Sequence, residues 1–294
     1  MKETVTFESK GLKCSGWLYV PDRLKGKGPA VVMAHGLSAV KEQALPEYAE
    51  KLAAAGLVTL IFDYRTFGES EGEPRSRLFP LEMVEDYRNA ISWLSDRPEV
   101  DPQRVGIWGT SFSGSYVLFA GTFDRRVKAV VAQVPNVGTP RARFERSPER
   151  WERDARMMAD ERTERYRTGI VEYVKIVSAE GEPCIIPGKS AYDFFMGSQA
   201  KAPNWRNQLT RESLEKTREF DPVGLIDLMS PTALMLIAGE KDELIALESV
   251  KKVYEKAKEP KELVVLPITH FEIYYEPWLS KAAEAAVRWF KKYL

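Results

Sequence analysis

Residues 109–114 of this chain, GTSFSG, place two serines in a short turn after the apolar run VGIW. A strand, a tight turn and a helix in this order form the setting in which a serine hydroxyl can attack a carbonyl carbon. Gly109 and Ser113 lie two positions before and after Ser111, where strand and helix approach closely and only small residues fit. Ser113 would lie inside the helix, so the geometry favours Ser111 as the nucleophile. The alternative is a small-residue turn without catalysis.

A histidine that could activate this serine follows the last predicted strand, ELVVLP. His270 is one of only two histidines in the chain, and it comes later than the serine. A histidine side chain suits the task of a base that takes the serine proton and returns it to the leaving group. A packed or surface position is the alternative for a single histidine, but its place after a strand favours the general base.

A carboxylate for this histidine is expected after the run TALMLIAG, where the chain reads EKDE. Asp242 would accept a hydrogen bond from Nδ1 of His270 and so fix the tautomer of the imidazole. Glu240 is an alternative, but Asp242 lies deeper in the turn. Asp242 could equally cap the helix that follows, and the two roles are compatible.

Two backbone N–H groups are expected to bind the oxyanion of a tetrahedral intermediate. One belongs to Phe112, directly after the nucleophile, and the other belongs to Leu37 in the turn HGLS. Gly36 would let the chain pass close to a substrate. His35, the second histidine, is predicted to form a structural hydrogen bond in the same turn rather than to act as a base.

The elements that must position these residues alternate between apolar strands and amphipathic helices. Parallel strands covered on both faces are near-continuously apolar, and ligands bind at their carboxyl ends. The pattern therefore predicts an α/β fold with about eight mostly parallel strands flanked by helices. The predicted strands are TVTFE and LKCSGWLYV as a hairpin, then PAVVMAHG, LVTLIFDYR, RVGIWG, VKAVVAQVP, TALMLIAG and ELVVLP. The predicted helices are 45–55, 81–94, 113–123, 244–257 and 277–294.

Residues 136–220 interrupt this alternation, because they contain no strong buried strand and are rich in Arg and Glu. A structureless loop of that length is improbable in a compact domain, so a mostly helical cap is predicted. The remaining residues, 1–135 and 221–294, form the predicted core domain. The aromatic and methionine side chains of the insertion are expected to be buried over the sheet edge, where they would form the roof of a pocket.

The composition restricts the partners and cofactors that we expect. The 294 residues carry 43 basic and 43 acidic side chains, so no overall field attracts nucleic acid or an anionic membrane. The start, MKETVTFESKG, has no apolar signal segment, which predicts a cytoplasmic protein. Cys14 and Cys184 lie far apart and are expected to be buried thiols, without a disulfide. No cofactor and no metal are expected, and a homodimer is left open.

In chain order, the sequence contains the motifs HGL, FDYRTFGESEG, VDPQRVGIWGTSFSG, AGEKDEL and THF. With these motifs the chain resembles the α/β-hydrolase superfamily. It is similar to the dienelactone hydrolase-like and acyl esterase branch, including relatives with a helical insertion that act as esterases, thioesterases or polyketide acyl transferases. The resemblance implies structural roles for Asp63, Arg65 and Gly68. The site residues that it implies are nucleophile Ser111, base His270, acid Asp242 and oxyanion donors Leu37 and Phe112.

The predicted reaction is the hydrolysis of a small-molecule carboxylic ester through an acyl-enzyme on Ser111. The aromatic insertion favours a medium-sized, mainly apolar acyl or aryl group. The alternatives are a thioesterase or an acyltransferase with the same triad and, with weaker support, a peptidase or a non-catalytic receptor. The superfamily's dehalogenases and epoxide hydrolases use an aspartate nucleophile, and Ser111 argues against both.

Overall fold

The computed structural model describes residues 1–179 and 181–294. The strands within these residues are β1 (Lys2–Ser9), β2 (Leu12–Tyr19), β3 (Gly28–Ala34), β4 (Val58–Phe62), β5 (Val100–Thr110), β6 (Val127–Gln133), β7 (Tyr173–Val174), β8 (Leu209–Thr210), β9 (Ala233–Gly239) and β10 (Lys261–Leu266). The helices are α1 (Leu45–Ala54), α2 (Pro80–Ser95), α3 (Phe112–Phe123), α4 (Pro140–Arg146), α5 (Pro148–Thr168), α6 (Lys189–Ser198), α7 (Arg211–Glu219), α8 (Leu247–Lys256) and α9 (Trp278–Tyr293).

Eight strands form the central sheet in the order β1-β2-β4-β3-β5-β6-β9-β10. The first two strands pair as an antiparallel hairpin, and β2 also pairs antiparallel with β4. The other six strands of this sheet run parallel to one another: β4, β3, β5, β6, β9 and β10. Helix α1 packs against α9, whereas α2 packs against α3, and α8 packs on β9 and β10. The predicted fold class, a mostly parallel sheet of about eight strands flanked by helices, is therefore confirmed.

The strand register brings the ends of the central strands to one edge of the sheet. Ala34 of β3 lies beside Gly109 of β5, which in turn lies beside Ala132 of β6. In the same parallel arrangement, Gln133 of β6 lies beside Ile237 of β9. The loops that follow these strands consequently meet at the same place, although they are far apart in sequence.

The burial expected for the last strand and for one of the two cysteines is wrong. The last strand, β10, is only partly buried because it lies at the edge of the sheet, and Val265 is 42% exposed. Cys14 is buried as expected, but Cys184 is half-buried and lines a cavity formed by the insertion. Apolar character in the sequence does not tell a central strand from an edge strand, since this depends on which strands pair.

Residues 136–220 contain α4, α5, α6, α7 and the two-stranded pair of β7 with β8. The side chain of Trp205 stacks on Phe195 at 5.3 Å, and its Nε1 donates a hydrogen bond to the carbonyl of Ser38 at 2.9 Å. Other residues of this segment stay in solvent: Met157 is 52% exposed and Tyr166 is 91% exposed. The expectation that all of its aromatic and methionine side chains are buried is therefore wrong, and the cap boundaries stay a prediction.

Candidate active site

Ser111 lies in the turn between the end of β5 and the start of α3. Its backbone has a φ of 54° and a ψ of −118°, a conformation that a residue with a side chain rarely adopts. Its N–H donates to the carbonyl of Gln133 at 2.9 Å, while its own carbonyl accepts from Gly114 at 3.0 Å and from Asn136 at 2.9 Å. These bonds hold the strained turn that is typical of a nucleophile elbow.

Two glycines allow this turn to pack closely against its neighbours. A Cβ atom on Gly109 would lie 2.4 Å from the carbonyl oxygen of Ser113. A Cβ atom on Gly36 would lie 3.0 Å from the Cβ of Ser111. A larger residue at either position would displace the turn. The requirement for a small residue at Gly109, two positions before the serine, is therefore steric.

His270 connects the serine to a buried carboxylate. Its Nε2 lies 3.1 Å from Oγ of Ser111, and its Nδ1 lies 2.8 Å from Oδ2 of Asp242. The side chains of His270 and Asp242 are 2% and 1% exposed, so water does not compete for the bond between them. If Nδ1–H donates to the carboxylate, Nε2 is free to accept the serine proton. The structure thus brings the three predicted side chains together in one hydrogen-bonded chain.

Asp242 also holds the loop in which it lies. Its Oδ1 accepts hydrogen bonds from the backbone N–H groups of Leu244 at 2.9 Å and Ile245 at 2.8 Å. Helix α8 begins only at Leu247, so the carboxylate caps a turn rather than the helix that the sequence suggested. Glu240, the alternative acid, is exposed. One oxygen of Asp242 therefore fixes the loop while the other faces the imidazole.

Glu243 is a further residue of the site that sequence reasoning missed. Its Oε2 accepts a hydrogen bond from the backbone N–H of His270 at 2.9 Å, and its Oε1 accepts one from Ser190 Oγ at 2.8 Å. Because Ser190 belongs to α6, Glu243 joins the histidine loop to the predicted cap. A second acid next to Asp242 was visible in the sequence, but its partners 27 and 53 residues away were not.

The amides of Leu37 and Phe112 are available for an oxyanion. Both residues line the same cavity as Ser111. Within residues 1–179 and 181–294, neither N–H donates a hydrogen bond to the protein. Phe112 is the first residue of α3, where N–H groups lack partners within the helix and the helix dipole favours negative charge.

His35 has the structural position that the sequence predicts. Its Nδ1–H donates to the carbonyl of Gly36 at 3.0 Å, and its ring packs edge-on against Tyr64. Burial lowers the pKa of His35 to about 4, since the charged imidazolium would lose its hydration. His35 is therefore neutral at pH 7, and its Nδ1 is already engaged in a structural bond.

Two spaces meet at Ser111. The inner pocket has a volume of about 30 Å³ and is lined by His270 and by the rings of Phe194, Phe195 and Phe271. The outer cavity has a volume of about 1110 Å³ and is lined mainly by residues of the segment 136–220. Both spaces contact the serine, so a bound molecule could extend from it in two directions.

Comparison with known proteins identifies the family. Residues 11–272 match the family described as X-Pro dipeptidyl-peptidase (S15 family). The chain belongs to the S15 family. Thiohydrolase aneE of Aspergillus aculeatus is 32% identical over 262 residues, which cover 86% of this chain and 80% of the relative. Polyketide transferase ATR5 of Stachybotrys chlorohalonatus is 31% identical over 275 residues, which cover 90% and 88% of the two chains.

A solved structure of another protein is similar to this chain over its whole length. The α/β hydrolase GrgF from Penicillium sp. sh18 superposes with a TM-score of 0.85 at 25% identity, covering 100% of this chain and 99% of GrgF. The resemblance to the α/β-hydrolase superfamily is thereby confirmed, and the protein is a hydrolase-type enzyme.

In this S15 family member, Ser113 has a polar role that the sequence did not indicate. Its side chain is fully buried, and its Oγ lies 2.8 Å from the hydroxyl of Tyr64 and 2.7 Å from that of Tyr87. The Tyr87 hydroxyl donates to the carbonyl of Trp108 at 2.8 Å. Since each hydroxyl has one proton, Ser113 donates to Tyr87 and accepts from Tyr64. The residue at this position is therefore small and also links two buried tyrosine hydroxyls.

Replacing Ser113 by alanine is expected to lower the free energy of unfolding by about 1–3 kcal/mol, because the buried Tyr64 hydroxyl loses its partner. Chemical denaturation of the wild type and the variant measures the difference. Ser92→Ala, at an exposed serine of α2, is the control and is expected to change the free energy by less than about 0.5 kcal/mol. Equal stability of S113A and the wild type would contradict the proposed hydrogen-bond chain.

A buried ion cluster lies in the segment that follows Leu37 in this S15 protein, and no pattern in the sequence indicated it. The fully buried ammonium of Lys41 bonds to Glu42 at 2.9 Å, Asp63 at 2.8 Å and Glu69 at 2.7 Å. Burial alone would lower the pKa of Lys41, but the attraction of Asp63 and the three hydrogen bonds raise it above its usual value. Lys41 thus supplies the positive charge among three carboxylates.

The structural roles expected for three residues of the motif DYRTFGES are observed. Asp63 accepts hydrogen bonds from the backbone N–H groups of Lys41 at 2.7 Å and Glu69 at 3.1 Å. Gly68 has a φ of 50°, and a Cβ atom there would lie 2.1 Å from Oδ2 of Asp63. Arg65 forms two hydrogen bonds with Oδ1 of Asp86, at 2.9 and 2.6 Å.

Proposed function

We propose that this protein hydrolyses carboxylic esters through an acyl-enzyme on Ser111. The observation that carries the proposal is the hydrogen-bonded chain from Asp242 through His270 to Ser111, at a serine that opens into a large cavity. Activation of a serine by a histidine that a carboxylate orients is a general solution for acyl transfer.

In the proposed reaction, Oγ of Ser111 attacks the ester carbonyl carbon while Nε2 of His270 takes the hydroxyl proton. Asp242 stabilises the imidazolium that forms, and it does so at a distance of 2.8 Å. The tetrahedral intermediate collapses when His270 returns the proton to the departing alcohol. Water then attacks the acyl-enzyme by the same route, which releases the carboxylic acid and restores the serine.

The developing negative charge requires donors that are in place before the reaction. We assign this role to the backbone N–H groups of Leu37 and Phe112, which have no protein acceptor among the described residues. A preorganised donor of this kind contributes about 3–4 kcal/mol to transition-state stabilisation in serine hydrolases. The position of Phe112 at the start of α3 adds the positive end of the helix dipole.

The outer cavity supports a substrate with a large and mainly apolar group. Its volume of about 1110 Å³ is at the upper end of small-molecule sites. Trp151, Met157 and Met158 are among the side chains that line it. Such unbranched and aromatic side chains adapt to extended apolar groups. The proposed acyl group is therefore larger than an acetyl or butyryl group.

Cleavage of thioesters, with water or an alcohol as the acceptor, is a second candidate function. The names of two relatives, a thiohydrolase and a polyketide transferase, favour it, because both reactions can proceed through the same acyl-serine. Removal of dipeptides from peptides is disfavoured by charge. Such a substrate carries a free ammonium, whereas Arg143, Arg146 and Arg218 line the outer cavity without a carboxylate partner among the described residues.

The test measures the turnover of three acyl donors by the wild-type protein. Two carry the same octanoyl group, namely 4-nitrophenyl octanoate and the octanoyl thioester of N-acetylcysteamine, and the third is the dipeptide substrate Ala-Pro-4-nitroanilide. We expect turnover of the octanoyl donors, and an octanoyl adduct on the intact protein by mass spectrometry after acid quenching. Added 1-butanol distinguishes hydrolysis from transfer through the yield of butyl octanoate. Turnover of the anilide alone would overturn the proposal in favour of a peptidase, and no turnover of any donor would overturn it altogether.

A further inference from the structure

The outer cavity contains more positive than negative charge. The basic residues that line it are Arg143, Arg146, Arg150, Lys175, Arg211 and Arg218, and the acidic ones are Asp154 and Glu182. Both acids already have partners, because Asp154 pairs with Arg150 at 3.6 Å and Glu182 pairs with Lys175 at 2.7 Å. Arg211 in turn pairs with Glu172 at 2.8 Å.

Three arginines remain, namely Arg143, Arg146 and Arg218, which we call the arginine cluster. In the part of the chain that the structure describes, none of them has a carboxylate within 4.0 Å. Burial and repulsion from the other two guanidinium groups lower the pKa of Arg143, and the attraction of Asp221, which lies beyond ion-pair distance, offsets this only in part. The cluster therefore brings like charges together in a cavity where no described carboxylate forms an ion pair with them, and a bound anion would relieve this repulsion.

Two of these guanidinium groups, those of Arg143 and Arg218, are held in place by neutral partners, so no ion pair neutralises their charge. Nη1 of Arg143 donates to the carbonyls of Thr217 and Arg218, both at 3.0 Å. The guanidinium of Arg218 lies 3.7 Å from the ring centre of Trp151, and it donates to the Trp151 carbonyl. Arginines fixed in this manner lose little conformational entropy when they bind a planar anion.

The cluster is connected to the nucleophile by a short loop. The backbone N–H of Asn136 donates to the carbonyl of Ser111 at 2.9 Å. Two residues further on, the carbonyl of Gly138 accepts a hydrogen bond from Nη2 of Arg143 at 3.4 Å. The serine and Arg143 therefore line one cavity and bond to the two ends of the same three-residue segment.

The position of the histidine indicates which part of a substrate faces the cluster. The leaving group receives its proton from Nε2 of His270, and His270 lines the inner pocket. The oxyanion faces the amides of Leu37 and Phe112. The remaining substituent of the tetrahedral carbon is the acyl chain, and the outer cavity contacts Ser111 and both amide residues. The inner pocket also contacts Ser111 and Leu37, but its volume of about 30 Å³ is too small for a long chain, so we place the acyl chain in the outer cavity of about 1110 Å³.

We propose that the acyl group carries an anionic group, a carboxylate or a phosphate, which binds the arginine cluster in the outer cavity. This inference rests on the proposed acyl-serine function and narrows its substrate class to acids with a second, anionic end. Guanidinium groups bind carboxylates and phosphates through paired N–H donors, and such charge-assisted bonds are about twice as strong as neutral ones. The apolar side chains between serine and cluster would contact the chain that links the two ends.

The test uses two esters of equal chain length, 4-nitrophenyl octanoate and 4-nitrophenyl hydrogen suberate. The second differs by a carboxylate at the far end of the acyl chain. The wild type is expected to prefer the suberate, and Arg143→Gln and Arg218→Gln are each expected to reduce the ratio of the two kcat/KM values about tenfold or more. Homologous esters with six to twelve carbons locate the chain length at which the preference is largest.

Three further variants keep the test independent of folding. Arg146→Gln removes an exposed cluster arginine that makes no hydrogen bond among the described residues, and it is expected to reduce the ratio. Arg150→Gln removes a cavity arginine that is already paired with Asp154, and it is expected to change the ratio less than twofold. Arg143→Lys keeps the charge and should retain part of the preference.

Inhibitors distinguish a carboxylate from a phosphate. Suberate and octyl phosphate are compared as competitive inhibitors of octanoate ester hydrolysis, with 1-octanol as the neutral control. Stronger inhibition by either anion, lost in Arg143→Gln, supports the inference and identifies the anion. Equal turnover of both esters, with ratios unchanged in every cluster variant, overturns the inference and leaves the proposed function intact. No turnover of either ester by the wild type overturns both.

Discussion

Replacing Ser111 by alanine is expected to lower kcat for ester hydrolysis by about 10⁴- to 10⁶-fold and to abolish labelling by a fluorophosphonate probe. The side chain supplies the only atom of the protein that bonds to the acyl group in the proposed reaction. His270 and Asp242 remain in place in this variant, but they have no hydroxyl to activate. Steady-state turnover of 4-nitrophenyl octanoate and gel fluorescence of the labelled protein measure the two effects.

Ser113→Ala is the matched control, because Ser113 lies two residues away and lines neither of the two spaces at the nucleophile. We expect it to keep labelling and most of the turnover at a temperature where the variant is folded. The reverse outcome, with S113A inactive and S111A active, would show that the nucleophile is assigned wrongly. A wild type that folds but neither reacts with the probe nor turns over esters would indicate a ligand-binding protein on this fold.

Replacing Lys41 by methionine is expected to lower the free energy of unfolding by about 3–5 kcal/mol. Methionine matches the length of the lysine stem but removes the ammonium. Asp63, which is fully buried, would then face Glu42 and Glu69 without a counter-charge. Carboxylates that lose their partner in a buried site retain their desolvation cost, and their mutual repulsion adds to it. Equilibrium unfolding in urea measures the difference.

Lys251→Met is the control for this substitution. Lys251 pairs with Glu248 at 2.6 Å on the surface of α8, where the two side chains are 43% and 74% exposed. Exposed pairs contribute about 0–1 kcal/mol, so this variant should unfold close to the wild type. If Lys41→Met and Lys251→Met had the same small effect, the cluster around Asp63 would not be a major source of stability.

Several residues of the candidate site could be predicted from the residues next to them in the sequence. Ser111, Asp242 and His270 each follow an apolar run, and the parallel sheet brings the ends of such runs together. The turn at Leu37 could be predicted for the same reason. Each of these predictions used only a strand, the residues directly after it and the chain order of the three side chains. Only the tertiary structure gives the distances between them, which are 3.1 Å from His270 Nε2 to Ser111 Oγ and 2.8 Å from His270 Nδ1 to Asp242 Oδ2.

Other features of the site depend on partners that are remote in sequence. Glu243 bonds to the backbone of His270 and to the side chain of Ser190. The hydroxyl of Ser113 is buried between two tyrosines, and its local sequence shows only that the residue is small. No pattern in the sequence around a lysine or serine reports which distant side chains will surround it, because that depends on how the layers pack.

The sequence by itself determined the fold class, the identity of the three candidate catalytic side chains and the two candidate oxyanion amides. These follow from apolar periodicity and from short motifs, since secondary structure and tight turns are governed by neighbouring residues. Only the tertiary structure decided that Lys41 is buried among three carboxylates. It likewise placed Arg143 and Arg218 in the cavity that contacts Ser111. The physical reason is that burial and charge pairing arise between elements, and their energies depend on distances that the order of residues does not specify.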